Sequence, residues 1–187
     1  MKQMIFCWSM NFKMIKGKKV VLDSVNTEDL EQFRNWRNDP DLRKYFREYR
    51  EISDEMQTRW FDKIINDQNQ VNFSIKEKQT KKLIGHCGLY YINWRARHGE
   101  FGIYIGDRNY RGSGHGSDAL RQLCKYGFEE LNLNKIWCEV YSNNASLDMY
   151  RHIGFVDEGM LRQNYYCEGE YWDSYVLSML RSEYDKK

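Results

Sequence analysis

At 187 residues, with 41% hydrophobic and 30% charged side chains, the chain has the make-up of one soluble globular domain with a substantial core. A formal charge of +2, its Lys and Arg interleaved with Asp and Glu, leaves no basic stripe for nucleic acid. No run approaches the ~20 apolar residues of a membrane span, so a membrane partner is not expected.

The head "MKQMIFCWSMNFK" lacks a small-residue cleavage site and makes a poor signal peptide. Residues 1–13 read as a candidate flexible extension ahead of a domain over 14–187. "KKVVLDSV" reads as a first strand. "NTEDLEQFRNWRND" follows as a helix, with Asn26 or Thr27 as cap and acids in its first turn. Leu30, Phe33 and Trp36/Arg37 give that helix a core face, and Pro40, the only proline, is expected to end the unit.

Ser53 caps a second expected helix with Met56, Trp60 and Ile64 on its apolar stripe. "VNFSI", "LIGHCGLYYI" and "GEFGIYI" alternate as strands, joined by the polar turns "KEKQTKK" and "NWRARH". A helix is expected from about His115 to Leu131, then the strand "KIWCEVY" and a short helix "NASLDMYRHIG" closed by Gly154. The tail reads as two strands folded over Gly169. The order βααβββαβαββ predicts an α/β fold, a mixed sheet with helices on both faces.

Cys7, Cys87, Cys124, Cys138 and Cys167 are odd in number and form no C-x-x-C pair, which points to free thiols in a reducing cytoplasm. The four histidines show no ligand spacing with them, so no metal is expected.

The chemistry-bearing stretch is "GEFGIYIGDRNYRGSGHGSDAL". A strand runs into Gly112, Gly114 and Gly116 and then into a helix. Glycines let a ligand approach the backbone, and the first helical amides have no internal acceptors, so the junction suits a phosphate or pyrophosphate. The P-loop pattern fails for want of a Lys after the last Gly. The dinucleotide pattern fails on spacing, since the glycines run G-x-G-x-G. A ligand-free glycine turn is the plain alternative.

"RGSGHG", Arg111 to Gly116, resembles the R/Q-x-x-G-x-G/A acyl-CoA signature of the GNAT N-acetyltransferase superfamily, and "NNASLDMYRHIGF" resembles the same superfamily's N-x-x-S-x-x-x-Y-x-x-x-G-F segment. The likeness spans roughly Lys18 to Leu180. It is nearest the group that includes ribosomal-protein N-terminal, polyamine and amino-sugar acetyltransferases. It implies a single GNAT-like domain whose central sheet splays in the middle, acetyl-CoA as cofactor, and acetyl transfer to a primary amine by direct attack.

On that resemblance, the amides around Gly112, Ser113, Gly114, His115, Gly116 and Ser117, next to Arg111, take the diphosphate. The backbone of Ile103, Tyr104 and Ile105 pairs with the pantetheine arm, and Asn143 and Ser146 add hydrogen bonds, sharing a helix face with Tyr150. Glu100 is the candidate base and Tyr150 the candidate acid for the departing thiolate. An exposed acid and a packed phenol are the plain readings of these two.

Trp36, Arg37, Asn38 and Tyr165 are candidate acceptor contacts. The "WRN" stretch favours a nucleotide-linked amino sugar. A protein N-terminus, a polyamine and, from another class, a non-catalytic CoA sensor stand as alternatives. A homodimer stays open.

Overall fold

Alternating apolar residues in the middle of the chain become three consecutive antiparallel strands, β3 (Val71–Glu77), β4 (Leu83–Asn93) and β5 (His98–Ile105). The computed structural model describes residues 15–186; the expected extension over 1–13 lies outside them. Two short N-terminal strands, β1 (Ile15–Lys16) and β2 (Val20–Ser24), pair onto β3. The second half adds β6 (Lys135–Tyr141), β7 (Val156–Cys167) and β8 (Glu170–Leu180), completing one sheet in the order β1-β2-β3-β4-β5-β6-β8-β7.

All neighbours are antiparallel except β5 and β6. That parallel pairing covers only His98↔Lys135, Gly99↔Ile136 and Glu100↔Trp137. Beyond Glu100 the two strands part, which is the expected splay. A register irregularity sits on β4 between Tyr90 and Asn93, opposite Glu100 and His98, and Tyr91 there has φ +50°.

Helices cover both faces. One face carries α1 (Leu30–Asn38), α2 (Pro40–Arg43) and α3 (Asp54–Asn66), with Phe33, Trp36 and Leu42 as a small core. The other carries α4 (His115–Lys125) and α5 (Leu147–Ile153) over the main core, in which Leu22, Ile75, Ile84, Leu89, Leu120 and Ile136 are fully buried. A final turn, α6 (Arg181–Tyr184), follows β8.

The first helical unit does end ahead of Pro40, at Asn38, while two other sequence expectations change. Pro40 also starts a helix that the sequence did not announce: Asp39 caps α2 by accepting from the Asp41 amide at 3.0 Å, and Pro40 fills N1, where no amide hydrogen is needed. The helix expected to Leu131 is α-helical only to Lys125. A π-helical turn, Tyr126–Glu130, follows, with Gly127 so close to the core that a Cβ there would lie 2.7 Å from Ile136 Cδ1. The third helix begins at Leu147, so Asn143 lies in the loop before it and shares no helix face with Tyr150.

Cys87, Cys124 and Cys138 are buried and Cys167 half-buried, and none is in a disulfide. Among the described residues no helix is long and apolar enough to cross a membrane.

Candidate active site

Strand alternation splits β5 between the two faces. Phe101, Ile103 and Ile105 pack with the core under α4 and α5, whereas Tyr104 joins the aromatic cluster beneath α1. Past Glu100 one edge of β5 stays bonded to β4 as far as Ile105, and the other faces the gap left by β6. That gap is part of a continuous cleft of about 1660 Å³, running from the glycine loop, past Ile103–Ile105 and Tyr150, to Glu100 and on beneath α1 and α3.

At one end, Gly112 (φ +70°) and Gly114 (φ +85°) bend the chain through the left-handed region, and Gly114 caps α4. Among the described residues, no main-chain amide from Gly112 to Ser117 donates to a protein acceptor. They form a cradle of free donors at a helix N-terminus, which fits a diphosphate.

Arg111 turns back, its Nε and Nη2 donating to the carbonyls of Ile105 and Gly106 at 2.9 and 2.8 Å, so it ties the loop to the end of β5. Ser113 Oγ donates to the Tyr110 carbonyl and contacts His115 Nδ1, each at 2.8 Å. Lys19 Nζ donates to the Ser113 carbonyl at 2.6 Å, a cation beside the loop that sequence reasoning missed. Buried Asp118 accepts from the amides of Lys19 and Val20 at 2.6 and 3.1 Å, locking α4 against β2.

Midway along the cleft, Tyr150 packs edge-on against Phe101, with ring centroids 5.1 Å apart. Burial pushes its phenol well above the ordinary range, so it stays protonated. Ser146 lines the cleft beside it, as do Asn144 and Ala145. Asn143 does not line it; its Oδ1 is buried with no hydrogen-bond partner among the described residues.

Glu100 is 6% exposed, and both of its carboxylate oxygens are held by one guanidinium. Arg47 Nη1 and Nη2 donate to its two oxygens at 3.1 and 2.5 Å, and Nη2 also reaches Glu139 at 3.1 Å. Asn164 donates to the other Glu139 oxygen at 2.7 Å. Two carboxylates sharing one guanidinium make a centre of net negative charge at the splay. Sequence reasoning gave neither Arg47 nor Glu139 a place in the site. The signal for Glu139 was its place on β6, two residues beyond the last β5 pair.

Of the four candidate acceptor contacts, only Arg37 lines the cleft. Trp36 instead wedges against Gly106, where a built Cβ would lie 1.9 Å from its indole. Asn38 uses its amide on the backbone of Ile52, donating at 2.9 Å and accepting at 2.8 Å. Tyr165 stacks flat on Tyr141 at 3.6 Å, and its hydroxyl donates to the Lys44 carbonyl at 2.8 Å. Asn38 and Tyr165 brace the loop that carries Arg47, and none of the three lines the cleft. Among the described residues no cluster of three potential metal ligands occurs.

Residues 19–156 match the family model described as acetyltransferase (GNAT) domain. The uncharacterized N-acetyltransferase p20 of Bacillus licheniformis is 34% identical over 172 residues, 89% of this chain and 96% of its own. The spermidine N(1)-acetyltransferase of Vibrio cholerae is 31% identical over 170 residues, 90% and 96% of the two chains. A crystal structure of spermidine N-acetyltransferase from Vibrio cholerae in complex with CoA and spermine matches with a TM-score of 0.82 at 30% identity, over 89% of this chain and 98% of that one. The last two proteins are named for a polyamine, not for the amino sugar expected from "WRN".

Proposed function

The chain belongs to the GNAT acetyltransferases, and on that premise we propose that this acetyl-CoA-dependent N-acetyltransferase acylates the primary amine of a small molecule that enters beside Glu100. The observation that supports this most is the splay: the cleft joins the free loop amides to the Glu100–Arg47–Glu139 centre through one unpaired edge of β5.

When bound, acetyl-CoA supplies an acetyl group activated as a thioester. The amides of Gly112 to Ser117 would hold its diphosphate, and Arg111 and Lys19 keep the loop in place. The open edge at Ile103 to Ile105 would bind the pantetheine arm as an added strand. Tyr150 holds its phenolic proton at Oη for delivery to sulfur. Glu100 and Glu139, with one guanidinium between them, attract an ammonium and give its proton a carboxylate to go to.

The relatives named for spermidine support a polyamine as a second reading of the acceptor, and the net negative centre suits one.

Thiol release from acetyl-CoA over a panel of primary amines tests the proposal. Tyr150→Phe and Glu100→Gln are each expected to lower kcat about 100-fold while acetyl-CoA still raises the melting temperature. Full turnover by both variants would refute these roles. Absence of thiol release with every amine would refute the reading as a whole.

A further inference from the structure

Three arginines line the cleft. Arg47 is engaged by Glu100 and Glu139, and Arg111 by two carbonyls. Arg37 is different. It is half-buried, and among the described residues it makes no hydrogen bond or ion pair; its guanidinium lies only over the Phe46 ring, 5.4 Å from the centroid. Glu48 lines the same region and its carboxylate feels the Arg37 charge at a distance, but Arg50 holds both of its oxygens, at 2.8 and 2.7 Å.

The wall next to Arg37 carries more unmet polarity. Phe46 packs edge-on against Tyr104, and Tyr104 lies 5.8 Å from the His86 ring, which Phe33 and Trp60 also enclose. Tyr104 Oη and His86 Nε2 are buried with no hydrogen-bond partner among the described residues, and both residues line the cleft. Burial and the Arg37 charge pull His86 down to about 3, so the imidazole is neutral. Burial also keeps the Tyr104 phenol protonated. A partly desolvated guanidinium beside neutral hydrogen-bonding groups repels a second cation and is stabilised by an oxyanion.

We propose that Arg37, with Tyr104 and His86, forms a subsite for a carboxylate or phosphate on the acceptor, so that the acetylated molecule carries an anionic group as well as its primary amine. This rests on the reading above, that the amine enters beside Glu100. It specifies the other end of the acceptor and sets it apart from a polyamine.

The test is kcat/KM for four acceptors: a short ω-amino acid, a phosphorylated amino-alcohol, an alkylamine of matched length, and spermidine. One or both anion-bearing amines should exceed the alkylamine and spermidine by about tenfold or more, and which of the two wins identifies the anion. Arg37→Gln should erase that advantage mainly through KM, and Arg37→Glu should invert the ranking toward spermidine. The melting shift with acetyl-CoA shows that each variant is folded, and the wild-type ranking stands alone if one is not. Spermidine or the alkylamine used as well as the anion-bearing amines overturns the subsite but leaves the acetyltransferase reading intact. No turnover of any amine overturns both.

Discussion

Gly106, directly after β5, offers a sharp test of how the acceptor side is built. A Cβ at that position would lie 1.9 Å from Trp36 Cδ2 and 2.4 Å from two further indole atoms. The indole is 9% exposed and meets Phe33 and Tyr104 edge-on or tilted at 6.2 and 6.3 Å, so it has little room to retreat. Gly106→Ala therefore overpacks a rigid contact, at a cost of about 3 kcal/mol. For a domain of this size that lowers the melting temperature by about 6 to 12 °C.

Trp36→Leu alone removes aromatic burial and costs about 2 to 3 kcal/mol. It also removes the atoms that the new methyl would strike, so the double variant should be more stable than the sum of the singles by about 1 kcal/mol or more. Thermal and urea melts of the four proteins measure this coupling. A Gly106→Ala protein that melts with wild type, or strict additivity in the cycle, would show that the indole does not occupy the space above Gly106.

Asp118→Ala strips the acceptor from two main-chain amides in a buried site and should cost about 2 to 3 kcal/mol; because those amides tie β2 to α4, KM for acetyl-CoA should also rise, as steady-state kinetics would show. His86 ordinarily titrates at 6.5 but is held at about 3 in the fold, so the unfolded chain binds more protons between those values. The stability it contributes is therefore complete above 6.5 and is lost as pH falls toward about 3. Urea melts across that window should show a shallower loss for His86→Phe than for wild type. Arg47→Met leaves Glu100 buried beside Glu139 without their shared cation, and a half-exposed partner of this kind is worth about 1 to 2 kcal/mol; chemical denaturation should show that loss together with a fall in kcat.

The sheet was legible because its strands alternate strictly: "VNFSI" and "GEFGIYI" each placed one set of side chains in a core, and both fall inside observed strands. The glycine loop was legible for the same local reason, since only positive φ at Gly112 and Gly114 makes that turn into α4. The acceptor side was not, because its side chains meet over long sequence separations. Trp36 reads as a ligand contact until Gly106 is seen beneath it. Asn38 reads as a free amide until the Ile52 backbone is found against it. Arg47 is one charge among many in "RKYFREYREIS", and only the fold brings it to Glu100 and Glu139. Pro40 marked the end of α1 correctly but hid α2, because the same fixed φ that stops one helix suits the first turn of the next.

The short junction between β5 and β6 has a mechanical consequence. Five strands on one side and three on the other each keep a ladder of their own, and strand pairing joins the two blocks at only three residue pairs. Like a book stitched at the foot of its spine, the sheet lies open between its two blocks while every other pair of leaves stays sewn. Whatever lies between the pages also acts as a gusset, adding stiffness where the sheet has least of its own.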